Sequence, residues 1–169
     1  MRWEELSVPD IDRLDRDRTV LVLPVGSVEQ HGRHMPVGTD TILAHSIALA
    51  AAGHLEKRVA VLPAPWYGFS AHHMRFPGTV TLRAETMMAL VEDVAASVVA
   101  HGFRRLLIVN GHGGNNGIVD VSPRRSAIAT TERRGSRASP ISSLPARRSP
   151  SCGNRAPAAW GTPASSRRR

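Results

Sequence analysis

The chain has 169 residues, of which 41% are hydrophobic, 21% charged and 4% aromatic, and this composition predicts one soluble domain of ordinary size. The sequence contains no run of about 18 consecutive apolar residues, and this absence excludes a membrane-spanning helix. Because the acidic start MRWEELSVPDIDRLDRD also lacks the pattern of a secretory signal, a cytoplasmic location is expected. The single cysteine, Cys152, can form neither an internal disulfide nor a thiolate metal cluster, so any metal chemistry must use His, Asp and Glu.

The net charge of +8 is concentrated near one end of the sequence. Residues 1–120 carry eleven basic and thirteen acidic side chains and all eight histidines, whereas residues 121–169 carry eleven arginines and one acid, Glu132. We therefore predict a folded domain over residues 1–121 and a disordered tail, rich in Arg, Ser, Pro and Ala, over 122–169. Such a tail is expected to bind nucleic acid only nonspecifically, through phosphate contacts, because it lacks a folded recognition motif.

Three short apolar runs predict β-strands. They are TVLVLPV at 19–25, RVAVLP at 58–63 and RLLIVN, whose apolar part ends at residue 109. Each is rich in β-branched or aliphatic residues with little alternation, which is typical of strands that are buried on both faces of a sheet.

Two helices are predicted between these strands. TILAHSIALAAAG follows Thr39 and Asp40, either of which could cap it, and it stops at Gly53. In residues 84–101 the apolar side chains recur at three- and four-residue spacing, and Gly102 is placed to end the helix. The alternation of strands and helices predicts an α/β fold with a mostly parallel sheet covered by helices.

The polar loops after the three strands are expected to converge, because ligands bind beyond the carboxyl ends of parallel strands. The first loop holds Glu29, His31, His34 and Asp40, and the third holds His112 between glycines. Nitrogen and oxygen ligands without thiolate suit zinc, manganese or a related divalent ion. A carboxylate with two oxygens could bridge a pair of such ions, which would polarise a carbonyl and hold a hydroxide.

Each of these residues also has a simpler interpretation when it is taken alone. Asp40 is well placed to be only a helix cap, and a loop glutamate is normally solvated. His34 is favoured as a partner of a loop carbonyl rather than as a metal ligand. For His72 and His73 in the second loop, contact of one with substrate and exposure of both fit the pattern equally well.

Three motifs in one order then give a family resemblance. They are GSVEQHGRHMP at 26–36 with Asp40, YGFSAHHMRFPGT at 67–79, and NGHGGN at 110–115. Over about residues 1–120 they resemble the creatininase (creatinine amidohydrolase) family. The resemblance implies a three-layer α/β/α fold, a centre of two zinc or manganese ions, hydrolysis of a cyclic amide or formamide-like non-peptide C–N bond by a metal-bound hydroxide, and a homohexamer.

The resemblance also implies roles for individual residues. By motif position, Glu29 and His112 would hold one ion, His31 would hold the other, and Asp40 would bridge them. The pocket for a small amide substrate would be lined by Ser70, His72, Gly78 and Thr79.

Two departures from the family pattern carry consequences. Creatininase has a carboxylate two residues after the histidine of the last motif, where this chain has Gly114, as relatives with GHGGN do. The family's later HAGxxET-like motif, with a metal-ligating Glu and a proton-relay His, has no counterpart after Asp120. We therefore hypothesise that the chain leaves the family frame near Asp120 through truncation or a shifted reading frame, that one ion is weakly held or lost, and that no catalytic proton-relay residue can be assigned.

Two alternatives follow from the same observations. One is a non-catalytic remnant with an uncovered strand edge at 105–109 that promotes self-association. The other is a family member that processes a peptide precursor in a cofactor pathway.

Overall fold

A computed structural model of the protein describes residues 1–55 and 58–121. In chain order, the described part contains a 3₁₀-helix (Trp3–Glu5), α1 (Val8–Asp12), β1 (Val20–Val25), α2 (Thr39–Gly53), β2 (Val59–Val61), a second 3₁₀-helix (Ala71–His73), α3 (Ala84–Ala100), β3 (Arg105–Asn110) and a third 3₁₀-helix (Gly113–Asn115). A further helical turn, 116–121, continues to the last described residue.

The three strands form one parallel sheet with the order β2-β1-β3. Val20 of the central strand is in register with Val59 on one side and with Arg105 on the other. Since parallel neighbours need a crossover, α2 connects β1 to β2 and α3 lies between β2 and β3 in the chain. The predicted α/β fold with a parallel sheet is confirmed.

Helices cover both faces of this sheet. Alternate residues of β1 point to opposite sides, and each side packs against a different helix. Leu21 and Leu23 belong to a core cluster with Met87 and Val91 of α3. Val22 belongs to a second cluster with two alanines of α2, Ala48 and Ala52, together with Val59 and Val61 of β2. The described part therefore has the three layers α/β/α.

The predicted cap of α2 is wrong. The N-cap is Gly38, and no side chain makes the capping hydrogen bond. The Thr39 hydroxyl donates to the Pro36 carbonyl instead, at 2.6 Å. Asp40 lies inside the first turn and is 7% exposed, so its carboxylate is directed at the loops rather than at its own helix. The predicted end of α3 is right, since Gly102 follows it with φ +87°.

The strand edge that was predicted to be uncovered is β3. Among the described residues, β3 pairs only with β1, and Leu107 is 53% exposed. Two α2 side chains, Leu43 and Ile47, are also exposed. Within the described ranges, no helix has both the length and the apolar character that crossing a bilayer requires. The predicted tail, 122–169, lies outside the described residues.

Candidate metal centre

The predicted ligands come from loops at one edge of the sheet. Glu29 and His31 follow β1, and His112 follows β3. Asp40 is added from the first turn of α2. Three of these side chains, Glu29, Asp40 and His112, are buried, with exposures of 5%, 7% and 4%.

Glycines at the strand ends allow this approach, because they leave no Cβ between the backbones. A Cβ on Gly26, after β1, would lie 2.4 Å from the Thr41 backbone nitrogen. A Cβ on Gly111, after β3, would lie 2.5 Å from the Asp40 carbonyl oxygen. The first turn of α2 therefore packs directly on the ends of β1 and β3, which brings Asp40 beside His112.

Asp40 stands between two imidazoles. Its Oδ1 lies 2.9 Å from His31 Nε2, and its Oδ2 lies 2.9 Å from His112 Nδ1. Glu29 Oε1 approaches the same His112 nitrogen, at 3.3 Å. The four residues predicted as ligands are thus brought together, with each oxygen of Asp40 directed at a different histidine.

The far nitrogen of each imidazole faces a backbone carbonyl. His112 Nε2 lies 3.0 Å from the Phe69 carbonyl oxygen, and His31 Nδ1 lies 3.3 Å from the Glu29 carbonyl oxygen. Because a carbonyl oxygen only accepts hydrogen bonds, each of these contacts is a hydrogen bond when the far nitrogen carries the hydrogen of the ring. In the neutral imidazoles, the nitrogens that face the carboxylates then present lone pairs.

This arrangement fits a bound cation. The buried Oδ2 of Asp40 accepts no hydrogen bond, although His112 Nδ1 is 2.9 Å away, and the buried Oε2 of Glu29 accepts none either. Lone pairs of nitrogen and oxygen that converge without a proton between them repel one another, and a divalent ion placed among them would turn that repulsion into attraction. Ligand atoms of Glu29, His31 and Asp40 all lie within 4.8 Å of one another.

The second loop adds two histidines to this cluster. Glu29, His72 and His112 form another trio with ligand atoms within 4.8 Å of one another. His73 Nδ1 lies 3.6 Å from Glu29 Oε2. His72 is exposed and His73 half-buried, so the pair stands at the rim of the buried cluster. His34 is exposed on the first loop.

The other residues expected to line a substrate pocket shape the second loop. Ser70 is fully buried, and its hydroxyl contacts the Ser27 hydroxyl and lies 3.1 Å from His112 Nε2. Gly78 has φ +86°, a turn conformation that favours glycine, and the Thr79 hydroxyl donates to the His73 carbonyl at 3.1 Å. In the structure these contacts hold the loop and its histidines in place.

Two asparagines of the last motif also position the site, and the sequence reasoning missed them. The buried Asn115 side chain accepts from the Phe69 N–H and donates to the Gly26 carbonyl, both at 2.9 Å, which ties the three loops together. The Asn110 Oδ1 accepts from the His112 N–H at 3.1 Å. The sequence feature that could have pointed to them is the pair of amides that flanks the histidine in NGHGGN, since a buried amide needs hydrogen-bond partners.

The fold and the cluster together define a class: an α/β protein with a buried carboxylate and imidazole centre at the carboxyl ends of parallel strands. Residues 4–156 match the family Creatininase, described as creatinine amidohydrolase. The chain belongs to the creatininase family. The match continues past the change of composition near Asp120. None of the comparisons tests the hypothesis of a shifted reading frame, which stays a prediction.

Individual relatives are similar over about two thirds of the chain. A mycofactocin precursor peptide peptidase of Mycobacterium tuberculosis is 36% identical over 121 residues, which are 67% of this chain and 48% of that protein. A creatinine amidohydrolase of Pseudomonas putida is 32% identical over 121 residues, 69% of this chain and 44% of that protein. The chain thus spans about half the length of the curated relatives it matches.

The fold is similar to solved creatininase structures. A manganese creatininase structure aligns with a TM-score of 0.65 and 30% identity, over 82% of this chain and 54% of that one. The family and the three-layer fold that the resemblance implied are therefore confirmed, whereas the roles of individual residues stay predictions.

Proposed function

We propose that the chain is a metal-dependent amidohydrolase that hydrolyses a C–N bond. The observation that carries this proposal is the position of Asp40, whose two oxygens each face an imidazole nitrogen at 2.9 Å. The far nitrogens of both imidazoles are engaged by backbone carbonyls, so the facing nitrogens are available as ligands.

In this proposal the site holds two divalent ions, either zinc or manganese. Glu29 and His112 would hold one ion, His31 would hold the other, and Asp40 would contribute its two oxygens to both. The manganese form of the 30% identical creatininase supports the type of metal. When bound, such ions would polarise the amide carbonyl of the substrate and acidify water at neutral pH.

The chain's own residues orient these ligands. Ser70 and the Phe69 carbonyl hold the His112 ring from behind, and His73 stands beside Glu29. The second loop would line the substrate pocket at the exposed side of the cluster, where Gly78 and Thr79 shape its turn. No proton-relay residue is assigned within residues 1–55 and 58–121.

We propose a small cyclic amide or formamide-like molecule as the substrate, in line with the creatinine amidohydrolase relative. A peptide is the second candidate, since the 36% identical relative is a peptide peptidase. One preparation loaded with zinc or manganese should be assayed for hydrolysis of creatinine, small formamides and short peptides. The comparison discriminates between the small-amide and the peptide candidates. A chain that binds metal and hydrolyses none of them would support the non-catalytic remnant.

Metal content of the purified full chain tests the proposal. After chelation and reloading with zinc or manganese, elemental analysis should find bound metal in the wild type and less in both His31→Ala and His112→Ala. His54→Ala is the matched control, because this histidine is exposed at the end of α2. Unchanged metal content in both site variants would defeat the proposal.

The assembly is also a proposal. A homo-oligomer, a hexamer by the family resemblance, is supported by the apolar exposure of Leu107 beside the edge of β3 that pairs with no other strand of the described residues. Light scattering of the purified chain tests it, and a monomer at all concentrations would refute it. The predictions of nonspecific nucleic-acid binding by 122–169 and of a cytoplasmic location stay predictions.

A further inference from the structure

We infer that His72 is a metal ligand of the ion held by Glu29 and His112, rather than only part of the substrate pocket. The inference rests on the proposed metal-dependent function and names one more residue of the same site. It is carried by two independent observations, the position of the His72 ring and the lack of space at Gly114.

The His72 ring lies beside the buried cluster. One of its nitrogens is within 4.8 Å of ligand atoms of both Glu29 and His112. The rings of His72 and His112 are nearly parallel, with an interplanar angle of 9° and centroids 5.8 Å apart. An ion held there would have two imidazole nitrogens and two carboxylate oxygens, if Asp40 is counted, which is a donor set that suits zinc.

The space next to His112 is closed to a side chain at position 114. A Cβ at Gly114 would lie 2.4 Å from His112 Nε2, 2.4 Å from the Phe69 carbonyl oxygen and 3.0 Å from His72 Cε1. Real Cβ atoms do not approach a backbone oxygen or a fixed ring as closely as 2.4 Å, so residue 114 must be glycine while Phe69 and His112 hold these positions, and the His72 ring adds a third, looser contact. A ligand from the second loop therefore stands where a side chain from position 114 has no room.

The backbone around His72 is held at both ends, as a ligand position requires. The Ser70 N–H donates to the Thr81 hydroxyl at 2.8 Å, and the His73 N–H donates to the Ser70 carbonyl at 2.9 Å. The His73 carbonyl in turn accepts from the Thr79 hydroxyl and the Phe76 N–H. The ring itself is exposed, so small molecules can reach it from solvent.

Cobalt loading of the full chain tests the inference with a readout other than activity. The visible absorption of bound Co²⁺ reports its ligands, and titration against a competing chelator gives the affinity of each ion. We expect His72→Ala to lower the affinity for one Co²⁺ ion by at least about tenfold and to change the absorption spectrum of that ion. Added imidazole should restore part of the affinity. His34→Ala, at an exposed loop position, should change neither, and the unfolding midpoint without metal verifies that each variant is folded.

The outcomes separate this inference from the proposed function. If His112→Ala loses cobalt while His72→Ala keeps the wild-type affinity and spectrum, His72 is not a ligand and the metal-dependent function stands. A raised KM in His72→Ala with unchanged cobalt binding would likewise overturn the inference in favour of substrate contact. If His112→Ala and His72→Ala both bind cobalt as the wild type does, the inference and the proposed function fail together.

Discussion

Asp40→Asn should stabilise the protein without metal and destabilise it, relative to the wild type, when metal is present. The reason is that Glu29 and Asp40 are both buried and present oxygens within 4.8 Å of each other, without a hydrogen bond to Asp40 Oδ2. Asparagine keeps the volume of the aspartate and removes one of the two negative charges. It also offers an N–H to one of the imidazole lone pairs.

The magnitude follows from the separation of the two carboxylates. At an effective dielectric constant of about 20, two unit charges at the 4.8 Å limit repel by about 3.5 kcal/mol. If part of this repulsion is relieved by solvent and side-chain adjustment in the wild type, a gain of about 2 kcal/mol is expected, or about 4–8 °C in the unfolding midpoint for a chain of this size. With metal at about 100 times its Kd, the wild type should gain about 2.7 kcal/mol that the variant largely lacks.

Thermal unfolding followed by circular dichroism, first with chelator and then with excess zinc or manganese, measures both effects. Asp93→Asn makes the same chemical change at an exposed position of α3 and should show neither. The reasoning is refuted if Asp40→Asn unfolds at a lower temperature than the wild type in chelator. That result would mean that the histidines already neutralise the carboxylates as ion pairs, and that no cation is needed there.

Three further predictions concern stability and are read from the same unfolding curves. Gly114→Ala should destabilise the protein by about 1–3 kcal/mol, because its Cβ would meet an imidazole and a backbone carbonyl at 2.4 Å. Gly113→Ala is the control, because a Cβ there meets nothing within 4 Å, and equal effects of the two substitutions would contradict the packing. Gly102→Ala should cost about 1 kcal/mol because its φ is +87°, whereas Gly53→Ala, in the last turn of α2 with open space, should be neutral or stabilising. Phe103→Ala should cost about 3–5 kcal/mol because this ring is 1% exposed in the main core, and a loss below about 1 kcal/mol would argue against that core.

The elements of the fold could be predicted because they depend on local patterns. The buried strand β1 and the helix α3 stand out from their apolar spacing, and Gly102 marks a helix end through its own backbone freedom. The start of α2 could not be placed on the sequence, since Thr39 and Asp40 both look like caps. Tertiary contact decides it, because the Asp40 carboxylate lies between the His31 and His112 rings and not at the helix end.

The candidate site was predictable in residue type and loop position, but not in its supporting contacts. Glu29 and His112 could be placed at one sheet edge, since parallel strands end there together. The role of Asn115 depends on partners 46 and 89 residues away in the chain, which no local pattern carries. The reason for glycine at position 114 is likewise a contact with the second loop.

The two carbonyls behind the imidazoles explain why the cluster can exist before a metal arrives. They come from the loops themselves, Glu29 in the first and Phe69 in the second, so the same backbone that brings the ligands together also fixes which nitrogen of each ring faces the carboxylates. In the proposed function, the buried carboxylate pair would be costly to the fold without metal and favourable with it, so metal binding would be coupled to stability.

Metal binding can therefore be measured through stability, separately from hydrolysis. All of the candidate ligands in the described part lie between Glu29 and His112, on loops after β1, β2 and β3 and on the first turn of α2. A chain that spans about half the length of its curated relatives thus brings these candidate ligands together in one cluster. Retained metal binding without turnover would place the missing contribution in proton transfer or substrate contacts, not in the assembly of this centre.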